Sequence, residues 1–312
     1  MKNYVTRISN NHTIDINKLS IQELYMLHYE EECHIASFAR KLSPFSNERN
    51  TLLSNGYELI NKISTIRHVK EFGFEKDTFG VSLKSINILL KLIIKKNKNN
   101  KNKTKLLLYE AGVGTGFAIK QVLNHCTMDL DIMGCDFYLN NSVIELSKRY
   151  SNVVLEQGSI YDCIKKLPYN SIDIFYADNV FEHFLPDEAT IIYDEIIKRL
   201  KNNAILFLII PNKYLGPSDI SSRFLSFGEK AQGFHFMEMS FNEVTNKLEK
   251  YDVVHQYCVL NLFKLKTIFI KSKFLINVKL KLERIVARIP IRLIKRGLFC
   301  CLRYDMYIMR KL

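Results

Sequence analysis

The sequence predicts an α/β protein: an open, mainly parallel β-sheet flanked by helices and preceded by a helical segment. Three observations carry this. From Lys105 onward, short apolar runs alternate with helical stretches, the pattern of strands joined by helical crossovers. The first run ends in a glycine-rich turn, Glu110-Ala-Gly112-Val-Gly114-Thr-Gly116. A chain of 312 residues with 47% hydrophobic composition can also bury one large core or a core plus a cap.

Residues 1–104 read as a helical cap and linker. Ile21, Leu24, Tyr25, Leu27 and His28 recur at helical spacing, and residues 81–94 form a second such stretch. Ser43-Pro44-Phe45-Ser46-Asn47 interrupts the first. The Lys- and Asn-rich run at 95–104 cannot pack a core and is expected to be a solvated loop. In residues 105–261, strands are expected at 106–109, 131–135, 153–156, 172–177, 204–210 and 252–260. Helices are expected at 116–126, 140–150, 161–166, 187–200 and 241–250. Residues 262–312 read as an amphipathic helical insertion and a final strand at 303–310. Val278, Leu282, Ile285, Val286, Ile289 and Leu293 share one helical face, and Lys281, Arg284, Arg288, Arg292 and Lys295 the other, with a kink at Pro290. The apolar stripe is expected to pack inward. A parallel sixth strand followed by an antiparallel last strand delivers the segment between them to the ligand-bearing edge of the sheet.

The net charge of +13 is unevenly placed. Residues 261–312 carry fourteen Lys/Arg against two acids, whereas residues 1–260 carry 31 against 30. A near-neutral body argues against a protein coated for nucleic acid. The basic helix suits either a lid with a solvated face or peripheral contact with an anionic membrane surface through residues 278–296. Seven scattered cysteines without a CxxC pair fit a reducing cytoplasm. The first twelve residues show no signal-peptide pattern, and the most apolar run, residues 204–210, suits a buried strand rather than a membrane span.

Glycines at 112, 114 and 116 permit a tight turn and close approach of a ligand to the backbone. Their spacing differs from the dinucleotide pattern. Glu110 at the strand end suits an ammonium group. Asp136 ends the second strand, where a carboxylate can accept from both hydroxyls of a ribose. Gly158-Ser159-Ile160 follows the third strand, where an adenine can lie against an apolar side chain. The fourth strand runs into Asp178-Asn179-Val-Phe-Glu182-His183.

In this order the features resemble the class I S-adenosylmethionine-dependent methyltransferases over residues 105–260, close to the type 11 group of quinone-biosynthesis and sugar-pathway enzymes. The resemblance implies a Rossmann-like sheet of seven strands, the last antiparallel. It implies S-adenosyl-L-methionine as cofactor, held by Glu110, Gly112, Gly114, Gly116, Asp136, Ser159, Ile160 and Asp178. The family often has Asp where this chain has Ser159. No Asn-Pro-Pro-Tyr element follows the fourth strand and no Pro-Cys pair is present, which disfavours enzymes acting on DNA bases.

Methyl transfer is an in-line displacement, and a hydroxyl acceptor gains from a general base. His183 and His235 are the candidates, both expected at the rim where the acceptor enters. Glu182, His183 and His235, with Asn179, are similar to the Glu-Glu-His…His metal set of small-RNA 2′-O-methyltransferases. Asn179 replaces the first Glu, and the sequence assigns no metal. The expected activity is O-methylation of a small molecule such as a sugar or glycoconjugate precursor. The alternatives are a membrane quinone-like lipid, an RNA 2′-hydroxyl, or a non-enzymatic cofactor-binding scaffold.

Overall fold

The computed structural model describes residues 4–73, 83–100, 105–226, 229–262, 266–270, 273–288 and 304–312. The chain opens with a hairpin absent from the sequence reading, β1 (Tyr4–Thr6) and β2 (Thr13–Asp15), with Val5 opposite Ile14. Helix α1 (Ile21–Ala39) starts in a capping box, Ser20 and Glu23 each bonding the other's backbone N–H. Helix α2 (Asn47–Phe72) starts at Ser46 and stops at Gly73, whose φ of 80° is the left-handed stop that glycine adopts without strain. These helices pack on each other and on the hairpin through Leu24, Leu27, Ile35, Leu59 and Ile63, a small core of their own. Helix α3 (Leu83–Lys98) extends into the run expected to be a loop. Lys95, Lys96 and Lys98 occupy its last turn, where positive charge suits the helix dipole, and Lys96 Nζ donates to the Asn203 carbonyl at 2.8 Å.

The alternating elements follow: β3 (Leu106–Ala111), α4 (Phe117–His125), β4 (Leu130–Asp136), α5 (Asn141–Arg149), β5 (Val153–Gln157), α6 (Ile160–Lys165), β6 (Ile172–Asp178), α7 (Pro186–Arg199), β7 (Leu200–Pro211) and α8 (Phe241–Glu249). The C-terminal part adds β8 (Val253–Leu262), β9 (Lys266–Ile270), α9 (Lys273–Arg288) and β10 (Tyr304–Lys311). The sheet order is β5-β4-β3-β6-β7-β10-β8-β9. Strands β3 to β7 are parallel, and β10 is antiparallel to both β7 and β8. The expected sheet of seven strands with the last antiparallel is therefore present, and β8 runs in the same direction as β7. An eighth strand, β9, pairs antiparallel on the outer edge of β8, inside the segment expected to be helical. Thr267 and the apolar Ile-Phe-Ile that follows suit a strand.

Side chains alternate between the faces. Tyr109, Phe175 and Ala177 point toward α6, α7 and α8, whereas Leu108, Ile174 and Tyr176 point toward α3, α4 and α5. Chain order reverses between β3 and β6, and the crevice beyond their carboxyl ends is where such sheets bind ligands.

Helix α9 lies on that carboxyl edge, but rotated from expectation. Ile276 and Leu280 pack on the core, and Lys279 and Glu283 are buried, while Phe274, Leu282 and Ile285 are exposed. Of the expected stripe, Leu282 and Ile285 face out, and Glu283 faces in. Its carboxylate accepts from Phe241 N at 2.7 Å, Asn242 N at 3.3 Å and Asn212 Nδ2 at 2.5 Å, capping the start of α8. Lys279 Nζ sits 4.1 Å over the Phe241 ring. The expected continuation through Pro290 and Leu293 lies outside the described residues.

Candidate active site

Each strand of the crevice ends in a residue with a distinct task. At the end of β3 the chain turns through Gly112, Gly114 and Gly116, with φ of 69°, 55° and 72°. A side chain on Gly112 would come within 2.4 Å of Val180 Cγ2, whereas one on Gly114 would meet nothing within 4 Å. The first glycine therefore serves packing and the second leaves an open cradle. At the end of β4, Asp136 Oδ2 accepts from Gly114 N at 2.8 Å and Oδ1 from Tyr138 N at 3.3 Å, tying the loop to the neighbouring strand. Burial still raises the Asp136 pKa from its ordinary value, against the lowering pull of these backbone N–H groups.

Glu110 and Asp178 end β3 and β6. Glu110 is buried, and desolvation together with the charges of Asp178 and Asp136 raises its pKa well above the ordinary value. Asp178 is pushed up to about 7 by burial, against the pull of hydrogen bonds from Tyr176 at 3.1 Å and Ser85 at 3.4 Å. Asn179 turns the chain out of β6 at φ 56°, a conformation Asn tolerates, and donates to Asp178 Oδ1 at 2.9 Å. Three acids crowded round an open glycine loop want a cationic ligand, and a ribose and an ammonium in one ligand fit them.

Past β5, Ser159 caps α6. Its hydroxyl accepts from Asp162 N at 3.1 Å and donates to Asp162 Oδ2 at 2.6 Å. Asp162, which the sequence reading passed over, thus brings a carboxylate to the position of Ser159, and Asn50 on α2 donates to it at 3.0 Å. Ile160 lines the same wall.

A cavity of ≈ 620 Å³ runs from the glycine loop to helices α1 and α2. Gly112, Gly114, Asp136, Ser159, Ile160, Asp178, His183 and His235 all line it, so eight of the ten predicted site residues share one wall. Glu110 and Gly116 lie just behind. The far end is polar, with His28, Asn61, Ser64, Arg67 and Asp219. Glu32 holds it together: it bonds His28 Nε2 at 2.8 Å and Phe234 N at 2.8 Å, and His28 Nδ1 faces Arg67 at 3.0 Å.

The two histidines meet edge to face, ring centres 4.9 Å apart. Burial and the charge of His235 push the His183 pKa down to about 3; its Nδ1 lies 3.0 Å from the Tyr57 hydroxyl. For His235, burial is outweighed by a 2.8 Å hydrogen bond from Nδ1 to Glu238 and by the charge of Glu182, and its pKa rises to about 9. The two rings, equivalent in the sequence, are therefore pushed in opposite directions. Glu182 is fully buried and pushed up to about 8 by desolvation. Tyr57 and Glu238 carried no sequence signal, because their roles exist only once α2 and the 233–238 loop meet the end of β6.

Comparison with known proteins agrees with this geometry. The methyltransferase-domain family model "Methyltransf_11" matches residues 109–208. None of the curated proteins matches the chain. Among solved structures, the CurJ carbon methyltransferase superposes with a TM-score of 0.52 at 12% identity, over 93% of this chain and 70% of that one. The 1,6-didemethyltoxoflavin N1-methyltransferase of Burkholderia thailandensis gives 0.50 at 11%, over 86% and 92%. Phosphoethanolamine N-methyltransferase 2 of Haemonchus contortus gives 0.50 at 13%, over 86% and 61%. At such identities the likeness is one of fold. Residues 109–208 thus match a methyltransferase domain, set in a chain with the fold of class I S-adenosylmethionine-dependent methyltransferases.

Proposed function

We propose that the protein methylates a hydroxyl group of a small, hydroxyl-rich acceptor of the sugar or glycoconjugate-precursor class. The observation that carries this is the far end of the cavity, where His28, Asn61, Ser64, Arg67 and Asp219 offer hydrogen bonds. Such a lining presents a polar network, already closed on itself through Glu32, His28, Arg67 and Ser64, along which the hydroxyls of a polyol find donors and acceptors. The proposed cofactor contacts are Glu110 and Asp178 toward the ammonium, Asp136 toward the ribose, Gly112, Gly114 and Gly116 as cradle, and Ser159 and Ile160 beside the adenine. The bound cofactor supplies an electrophilic methyl group on a sulfonium. The protein holds the acceptor oxygen in line with it. The His183–His235 pair activates the hydroxyl, His183 being the neutral ring on the cavity wall.

The test is a screen of polyol and glycoside acceptors with labelled cofactor, followed by variants. His183→Ala lowers turnover by about 10²–10⁴-fold, the usual worth of a positioned proton acceptor, while cofactor affinity is unchanged. Full activity in both His183→Ala and His235→Ala removes the role, and methylation of an amine or carbon instead of a hydroxyl removes the acceptor class.

A second reading concerns where the acceptor is met. Phe274, Leu282 and Ile285 are 73%, 37% and 54% exposed on α9, and the exposed Lys281, Arg284 and Arg288 flank them. An outward apolar stripe bordered by cations suits the surface of an anionic bilayer, and no helix among the described residues is long and apolar enough to cross one. Sedimentation with vesicles containing anionic phospholipid is expected to carry the protein down, and Ile285→Glu with Arg288→Glu to release it. Equal sedimentation of the double variant, or none of the parent protein, removes this reading.

A further inference from the structure

We propose that Glu182, His183 and His235 form a site for a first-row divalent cation of the Zn²⁺ class, open to the acceptor cavity. One ligand atom from each of the three lies within 4.8 Å of the others. An ion with bonds of about 2.0–2.2 Å would space them about 3.4 Å apart, a contraction within reach of small side-chain rotations.

Three features beyond proximity point to an ion. First, Glu182 is 0% exposed, yet neither carboxylate oxygen has a hydrogen-bond partner. A buried carboxylate left so is costly unless something binds it. Its nearest cationic atom is His235 Nε2 at 3.9 Å, too far for a hydrogen bond, whereas the other side of that ring closes on Glu238 at 2.8 Å. A simple ion pair would have closed the first gap too. Second, both imidazoles are held from behind. His235 Nδ1 bonds the Glu238 carboxylate and His183 Nδ1 the Tyr57 hydroxyl at 3.0 Å. This outer bonding of one ring nitrogen orients the other toward a metal. Third, two imidazoles and one carboxylate leave a coordination position free, as in catalytic rather than structural sites. Both rings line the cavity, so that position is reached from the acceptor side.

The ion's role rests on the hydroxyl reading above: the rings then act on the hydroxyl through the ion rather than directly. The acceptor oxygen occupies the free position and releases its proton to solvent water. An oxygen lone pair forms the new C–O bond to the methyl carbon as the C–S bond breaks, and that electron pair stays on sulfur. The products are a methyl ether and a neutral thioether.

The experiment is titration of the chelator-stripped full chain with Zn²⁺ by calorimetry, and with Co²⁺ by visible absorption. One equivalent is expected to bind, with the Co²⁺ bands of a four- or five-coordinate site. Glu182→Gln and His235→Asn abolish binding while S-adenosylhomocysteine still binds, which reports that the fold is intact. Glu238→Gln, behind the ligand, weakens binding by about 10–100-fold. The site is overturned if the parent protein takes up neither ion saturably, or if both ligand variants bind as it does. Methylation of a hydroxyl that survives exhaustive chelation overturns the ion's role and leaves the acceptor class standing. Tight metal binding without transfer to any hydroxyl leaves the site standing and removes the acceptor class.

Discussion

At the scale of single residues, burial sets the chemistry. Asp178 is pushed up to about 7 by desolvation, against the lowering pull of the Tyr176 and Ser85 hydroxyls. A raised carboxylate pKa means that, without ligand, its stabilising neutral form is lost as pH rises through that value. A cationic ligand reverses the preference, since it binds the ionised form. Affinity for S-adenosylmethionine is therefore expected to rise about tenfold per pH unit up to the Asp178 pKa and level off above it. Calorimetry across this range measures it, and Asp178→Asn should flatten the profile; a slope unchanged in that variant would rule out the assignment. The glycine loop offers a second contrast. Gly114→Arg meets no neighbouring atom but holds a side chain at φ 55°, so it is expected to abolish cofactor binding at a backbone cost of about 1–2 kcal/mol. Gly112→Ala drives a methyl into the branched side chain of Val180 at 2.4 Å and is expected to cost about 1–3 kcal/mol of stability. Thermal melts of the two, with and without cofactor, separate cradle from packing.

At the scale of elements, α2 and α9 do the positioning. Helix α2 is anchored on the sheet domain by Arg49, whose guanidinium is buried against Asp187 and Glu188 at the start of α7 and against the Leu42 carbonyl just before α2. That anchor places Tyr57 beside His183 and Asn50 beside Asp162. Helix α9 is oriented by Glu283, which satisfies the N–H groups that open α8. Glu283→Ala is expected to destabilise the protein by about 1–3 kcal/mol, the cost of leaving buried donors unpaired, with no change in cofactor affinity. Denaturant unfolding checks the first part and calorimetry the second. A variant as stable as its parent would mean that the helix is held by Ile276 and Leu280 alone.

At the scale of the whole molecule, the last strand is central rather than terminal. Strand β10 lies between β7 and β8, pairing with both. Truncation after Leu260 removes the partner that joins β8 to the sheet and uncovers the edge of β7. The shortened chain is expected to lose cooperative unfolding, which a circular-dichroism melt reads directly. A stable, active truncated protein would contradict the strand order.

The alternation of strands and helices, the glycine turn and the acids ending strands were legible in the sequence because they are local. Strand and helix periods, turn chemistry and strand-end position depend on near neighbours in the chain. Hence Glu110, Asp136 and the glycines could be singled out before any contact was known. Three things were decided by tertiary structure. Periodicity alone put the apolar stripe of α9 inward, but a single buried carboxylate with three donors to satisfy outweighed the burial of Leu282 and Ile285. Strand β9 emerged because the open edge of β8 offered it hydrogen bonds that a short apolar run cannot find alone. His183 and His235 looked interchangeable in sequence and are pushed in opposite directions, the first pKa down and the second up, because pKa depends on groups such as Glu182 and Glu238 that only folding brings within reach.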